Sequence, residues 1–181
     1  MKRRIIVGII AILLIGLVLF LLIKLSNKDD RTNAELDNIV NKVYENISED
    51  IKSKWEGIST TPVDLNDMEA VEYNTGLTSL DGIESISVSE TSDKYYSYSF
   101  VCIKPGKEAN VEIIKNNVYS NMDMYKWKYV YAKKLAVVDV GGYIYAAMGT
   151  HEEVDSVVNS LKSYAQNNKL TIGNILERIE E

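Results

Sequence analysis

The chain carries one histidine, His151, which opens the pattern His151-Glu152-x-x-Asp155. Zinc-protease chemistry needs two imidazoles one helical turn apart and a third ligand. Asp155 stands where the second imidazole would be, so His151 reads as a solvated residue at a helix start, and metalloprotease chemistry is excluded. A second group of oxygen donors, Asp64-x-Asn66-Asp67-x-Glu69, lacks the glycine and the distant bidentate glutamate of a calcium loop. It reads as a turn with helix-capping acids. No G-x-S-x-G elbow or glycine-rich phosphate loop is present, and the serines have only the isolated His151 as a base. Cys102, the single cysteine, lies in the apolar run Phe100-Val101-Cys102-Ile103. A thiol there is buried and inert, because a reactive thiolate needs nearby positive charge and access. We therefore expect no catalytic residue, no metal ligand and no cofactor. Carboxylates such as Asp139 and Glu152 would serve a hydrolase only if the fold brought two of them together.

One segment has the composition of a binding surface. Tyr125-Lys-Trp-Lys-Tyr-Val-Tyr-Ala-Lys-Lys134 concentrates four lysines, three tyrosines and a tryptophan in an otherwise acidic region. Rings and ammonium groups together bind anionic polymers, glycans or acidic protein surfaces by stacking and charge. The expected interaction residues are Lys126, Trp127, Lys128, Tyr129 and Tyr131, joined by Tyr143 and Tyr145. The competing reading is a connecting segment whose aromatics pack on the core while the lysine stems lead their charges out to water.

The elements that must position these residues follow from periodicity. Thr32-x-x-Glu35 has the form of a capping box, and Leu36, Ile39, Val40, Val43, Ile47, Ile51 and Trp55 follow at helical spacing. That predicts an amphipathic helix over 33–56, long enough to act as a stalk. Residues 59–64, with Pro62, read as a loop, and 65–71 as a short helical turn ending at Tyr73-Asn-Thr-Gly76. Ile86–Val88 and Tyr96–Ile103 predict a hairpin, and residues 107–122 a helix with Val111, Ile114, Val118 and Met122 on one face. Leu135–Val140 and Tyr143–Met148 flank Gly141-Gly142, which predicts a tight hairpin with Val140 opposite Tyr143, Val138 opposite Tyr145 and Ala136 opposite Ala147. Thr150-x-x-Glu153 caps a last helix through Ala165. The expectation is an α+β domain at 33–165: helix–hairpin–helix–hairpin–helix, with an antiparallel sheet and helices packed on one face. Both faces of the second hairpin are apolar, so the other needs a helix of its own or a partner. Residues 166–181 read as a polar tail or loose helix.

At the front of the chain, Ile5–Ile23 is an uncharged run of 19 residues, 16 of them Ile, Leu, Val or Phe. At about 1.5 Å per residue it would span roughly 28 Å, the hydrocarbon thickness of a bilayer. The run exceeds a cleavable signal's apolar core, and Lys24-Leu-Ser-Asn-Lys28 after it offers no A-x-A-like site. A retained transmembrane signal anchor at 5–23 is expected, with residues 1–4 as a basic cytoplasmic tip and 24–32 as a linker. Lys2, Arg3 and Arg4 favour a cytoplasmic N-terminus and an extracellular domain. Four of the 20 basic residues lie within 1–24, which holds no acid, leaving 16 against 26 and a net charge of −10 beyond it. Such a domain repels nucleic acid. The partners expected are the membrane through 5–23 and an envelope protein or anionic wall polymer.

From Asp64 to Ala165 the pattern resembles a bacterial family known as domain of unknown function 4358. The resemblance is carried by the Tyr73-Asn-Thr-Gly76 turn, the strand ending Phe100-Val-Cys-Ile-Lys104, the aromatic stretch at Tyr129 and the hairpin Val137–Tyr145. It implies an extracytoplasmic α+β domain and offers no catalytic residue. Two features depart from that family: its lipoprotein cysteine is replaced here by the apolar run, and its glutamate at the head of the second strand by Tyr96-Ser-Tyr-Ser. The expected function is a membrane-anchored, extracytoplasmic, non-enzymatic binding module of the cell envelope. The alternatives are an extracytoplasmic hydrolase and a structural subunit of a membrane complex.

Overall fold

The computed structural model describes residues 15–18 and 34–180. The expected anchor, the linker and Thr32 lie outside them, apart from 15–18, which are helical and exposed. Among the described residues no helix is long and apolar enough to cross a membrane.

The chain runs α1 (34–45), α2 (Glu49–Lys52), β1 (Ser59–Pro62), α3 (Met68–Thr75), β2 (Ile83–Glu90), β3 (Ser99–Pro105), α4 (Val111–Asn121), β4 (Lys134–Val140), β5 (Tyr143–Gly149), α5 (His151–Asn168) and β6 (Leu176–Ile179). The six strands form one antiparallel sheet in the order β1-β2-β3-β5-β4-β6. Its centre is the hairpin β4–β5, in the expected register: Val140 opposite Tyr143, Val138 opposite Tyr145, Ala136 opposite Ala147. Gly141 and Gly142 turn it with φ of +60° and +87°, the left-handed pair that a two-residue hairpin turn requires.

Alternation along the central strands sends apolar side chains to both faces, and helices cover both. Phe100, Cys102, Val138, Tyr145 and Ala147 meet Leu36, Val40 and Val43 of α1 and Val154, Val157 and Leu161 of α5. On the other face Val101, Ile103, Leu135, Val137, Ile144 and Met148 meet Val71 of α3, Ile114 and Val118 of α4, and Met122 and Met124 beyond it. The expectation was helices packed on one face, with a helix or a partner needed on the other; helices α3 and α4 supply that cover. The second face is covered because leaving it wet would expose the apolar half of three strands.

Three segments differ from the sequence reading. The first helix stops at residue 45, not 56, and lies on the sheet as core: Leu36, Val40 and Val43 are buried. Ser48 is extended (φ −62°, ψ 150°), which redirects the chain through α2 so that Trp55 stacks on Tyr98 at 4.2 Å. The buried Ser160 hydroxyl donates to the Val43 carbonyl at the end of α1, which also accepts the Asn46 N–H at 3.3 Å. Residues 59–62, read as a loop, form an edge strand; Pro62 is tolerated at its end because an edge leaves one side unpaired. The C-terminal segment is not a tail. Helix α5 continues to Asn168, closed by Lys169 in the left-handed region, and 176–179 pairs with β4. Arg178 of β6 donates to the carbonyls of Tyr119, Ser120 and Met122, capping the last turn of α4.

Gly76 marks the tightest helix contact. It ends α3 with φ +71°, and a Cβ there would lie 2.4 Å from the Asn121 carbonyl carbon at the end of α4. Gly76→Ala is expected to destabilise the purified full-length chain by about 3 kcal/mol in urea denaturation. Gly142→Ala, which meets nothing within 4 Å, is expected to cost about 1 kcal/mol from backbone strain alone. Equal losses would contradict the helix contact.

Candidate functional site

Two connections meet at one end of the sheet: residues 91–98, joining β2 to β3, and 122–133, joining α4 to β4. The longer one is anchored before it is exposed. Met122, Met124 and Ala132 are buried, and Ala132 N–H donates to the Met124 carbonyl at 2.9 Å, so the loop closes on itself. Lys126 is drawn inward, its side chain only 1% exposed. Its ammonium pairs with Glu90 at the end of β2 and lies within reach of Ser99 Oγ (3.3 Å) and Asn74 Oδ1 (3.4 Å). It sits 4.8 Å above the Tyr73 ring and 5.1 Å above that of Trp127. Burial pushes the Lys126 ammonium below the ordinary lysine value, and the charges of Glu90 and Asp123 oppose that shift. Trp127 packs half-buried on the α4 side of the core.

The tyrosines around this staple face water. Tyr95, Tyr125, Tyr129 and Tyr131 are 60%, 55%, 53% and 37% exposed, a concentration of apolar surface at one place. Tyr95 and Tyr129 approach at 5.2 Å between ring centres, and Tyr125 stacks on Tyr131 at 5.1 Å. Lys94 lies over the Tyr95 and Tyr129 rings, Lys128 over Tyr129, and Lys133 over Tyr131 at 4.1 Å. Beside them a cleft of about 550 Å³ opens between the ends of α3 and α4. It is lined by Glu72, Tyr73, Gly76 and Thr78 from α3 and the turn after it, and by Asn121, Asp123, Tyr125 and Lys126 from the end of α4 and the loop beyond.

The residues expected to form one surface divide. Lys128, Tyr129 and Tyr131 lie together and are exposed. Lys126 and Trp127 do not belong to the exposed layer: the first is an internal ion pair, the second packing. Tyr145 is buried against Phe100 at 6.1 Å, on the core side of β5, and is no contact residue. Tyr143 is at the opposite end of the hairpin, where its hydroxyl donates to Glu35 of α1 at 2.6 Å. Tyr95 and Lys94 complete the surface and were not expected. Their only sequence signal is an aromatic and a lysine within the Ser92–Tyr96 connection, and nothing local says that this loop meets 122–133.

Other candidates resolve into structural roles. His151 is exposed at the first position of α5, and Asp155 one turn on holds Lys134 at 2.7 Å. Asp64 accepts from the backbone and side chain of Asn66, and Asp67 caps α3 through Ala70 N–H at 3.0 Å. Among the described residues no three His, Cys, Asp or Glu side chains are grouped to hold a metal ion. Cys102 is buried, and burial raises its thiol well above the usual range. Asp139 and Glu152 do not meet: Asp139 pairs with Lys115 near the hairpin turn, Glu152 with Lys54 beyond its other end. The most heavily bonded carboxylate is Glu153. Its oxygens accept from Trp55 Nε1 (2.7 Å), Tyr96 (2.6 Å), Thr150 Oγ1 (2.7 Å) and Thr150 N–H (2.9 Å), so it is saturated as the capping box of α5.

Comparison with protein families, with curated proteins and with solved structures gives no match.

If Lys126 is the internal staple of the aromatic loop, Lys126→Ala leaves Glu90 without its cation, and a loss of about 2–4 kcal/mol is expected in urea denaturation. Adding Glu90→Gln to that variant should restore part of the loss. A change under about 0.5 kcal/mol for Lys126→Ala would contradict the role, since mutations off such features fall within that range.

Proposed function

We propose that this chain is a membrane-tethered, extracytoplasmic module of the cell envelope that binds an anionic wall polymer through its aromatic end and performs no catalysis. The observation that carries the reading is the cluster of Tyr95, Tyr125, Tyr129 and Tyr131 with Lys94, Lys128 and Lys133 among them. Exposed rings interleaved with ammonium groups, on a domain whose net charge is strongly negative, mark one place where an anion is attracted and can stack.

Position supports the same reading. Helix α1 begins beside Lys104 and Tyr143, which hold Glu35 at 2.9 and 2.6 Å, and ends near Tyr98, where Tyr44 and Tyr98 share a hydrogen bond. The start of α1 lies at the Pro105–Tyr143 end of the sheet, opposite the tyrosine cluster, which suits a tether entering through α1. The apolar run and the basic residues before it favour the cytoplasmic N-terminus. The resemblance of Asp64–Ala165 to domain of unknown function 4358 carries the same location.

Sedimentation with isolated cell walls tests the reading. The full-length chain in detergent should co-sediment at low salt and less so as salt is raised. Tyr95→Ser with Tyr129→Ser should weaken it at least about fivefold, a loss of roughly 1 kcal/mol. Equal sedimentation of the double variant would contradict the site. Cross-linking to a protein with no retention on walls would shift the partner to an envelope protein. Protease added to cells without their outer wall should cut the domain; full protection would contradict the topology.

A further inference from the structure

The cleft beside the tyrosine cluster has a chemistry of its own. Two helix C-termini converge on it: α3 ends at Gly76, packed against the Asn121 backbone at the end of α4. Helix C-termini present carbonyl acceptors and partial negative charge; at α4 the Tyr119, Ser120 and Met122 carbonyls are already taken by Arg178, so the open end is that of α3. Glu72, Thr78 and Asn121 line the opening, and their side chains hold no hydrogen bond among the described residues. Asp123 uses Oδ1 to accept the Tyr125 N–H at 2.8 Å, which leaves Oδ2. Tyr73 and Tyr125 stand on the two walls, 46% and 55% exposed.

These groups favour a donor-rich ligand with a flat apolar face. An anion meets the Glu72 and Asp123 carboxylates and the C-terminus of α3, so the wall polymer's charged groups belong on the lysines outside. A small cation meets the Lys126 ammonium in the lining. An uncharged polyol opposes neither. Its hydroxyls donate to the carboxylates and the Asn121 carbonyl, and its C–H face lies on a tyrosine ring. A volume of about 550 Å³ lies within the range of small-ligand sites.

We propose that this cleft binds an uncharged sugar unit of a glycan, with Tyr73 and Tyr125 as stacking walls and Glu72, Asn121 and Asp123 as hydroxyl acceptors. It deepens the binding-module reading and rests on it for biological context; the two sites share Tyr125, so Tyr73, Glu72 and Asn121 are the residues that test the cleft alone.

The test is calorimetry and saturation-transfer NMR on the full-length chain in detergent, with chitotetraose, cellotetraose and maltotetraose as probes. At least one tetrasaccharide should bind. Tyr73→Ala and Asn121→Ala should each weaken it at least tenfold. Glu72→Gln, on an exposed position of α3 with no partner to lose, should weaken it several-fold in a chain of unchanged thermal stability. Tyr129→Ser should leave tetrasaccharide affinity within twofold while reducing wall sedimentation, which separates the two sites. No binding of any of the three, or binding indifferent to Tyr73→Ala and Glu72→Gln, overturns the proposal even if wall sedimentation persists. Binding of spermidine in preference to all three tetrasaccharides overturns it in favour of a cation site.

Discussion

The structure depends on one constraint: the central strands β3, β5 and β4 are apolar on both faces, so the sheet must be covered twice. Water on either face would cost about 25 cal/mol for each Å² of apolar surface left exposed. The chain answers with α1 and α5 on one side and α3, α4 and the loop beyond α4 on the other. Small residues make room for this. Ser85, Ser87 and Ser89 of β2 are buried, and the Ser87 hydroxyl lies 3.4 Å from Asp37 of α1. A stalk helix is therefore unavailable, because the residues that would have formed it cover one face of the sheet together with α5.

Covering a sheet with loops as well as helices buries some polar ends, and among the described residues three enclosed lysines handle them. Lys115 meets Asp139 and Glu112, Lys134 meets Asp155 and Glu177, and Lys126 meets Glu90. Each stem adds to the apolar packing while the head joins segments far apart in sequence. The C-terminal segment is held this way: Lys115 reaches Asn174 at 3.1 Å, and Gly173 lies so close to Asp139 that any side chain would collide. The same device sets the candidate site. With Lys126 and Trp127 turned inward, the alternate residues Tyr125, Lys128 and Tyr129 are left outside.

Much of the fold is legible in the residues themselves. The β4–β5 register follows from Gly141-Gly142 and strict alternation, and α5 begins where Thr150 and Glu153 say it must. What escapes are features fixed by distant partners. The strand at 176–179 exists because β4 has an open edge and Arg178 finds the end of α4; its own four residues carry no strand signal. The break after residue 45 is equally non-local, since Ile47, Ile51 and Trp55 keep helical spacing while Trp55 is pulled to Tyr98 and Glu153. The aromatic, lysine-rich segment 125–134 is legible by composition, whereas its division into inward and outward residues depends on Glu90, more than thirty positions away.

The central claim is that α1 is core, held on one face of a sheet buried on both. Amide hydrogen exchange on the full-length chain tests it most directly, because protection follows the free energy of local opening. The account predicts that the amides of 38–45 exchange as slowly as those of Phe100–Ile103 and Ile144–Met148, all released in one unfolding event. Fast exchange of 38–45, while the β3 and β5 amides stay protected, would contradict it and return α1 to the role of a free stalk.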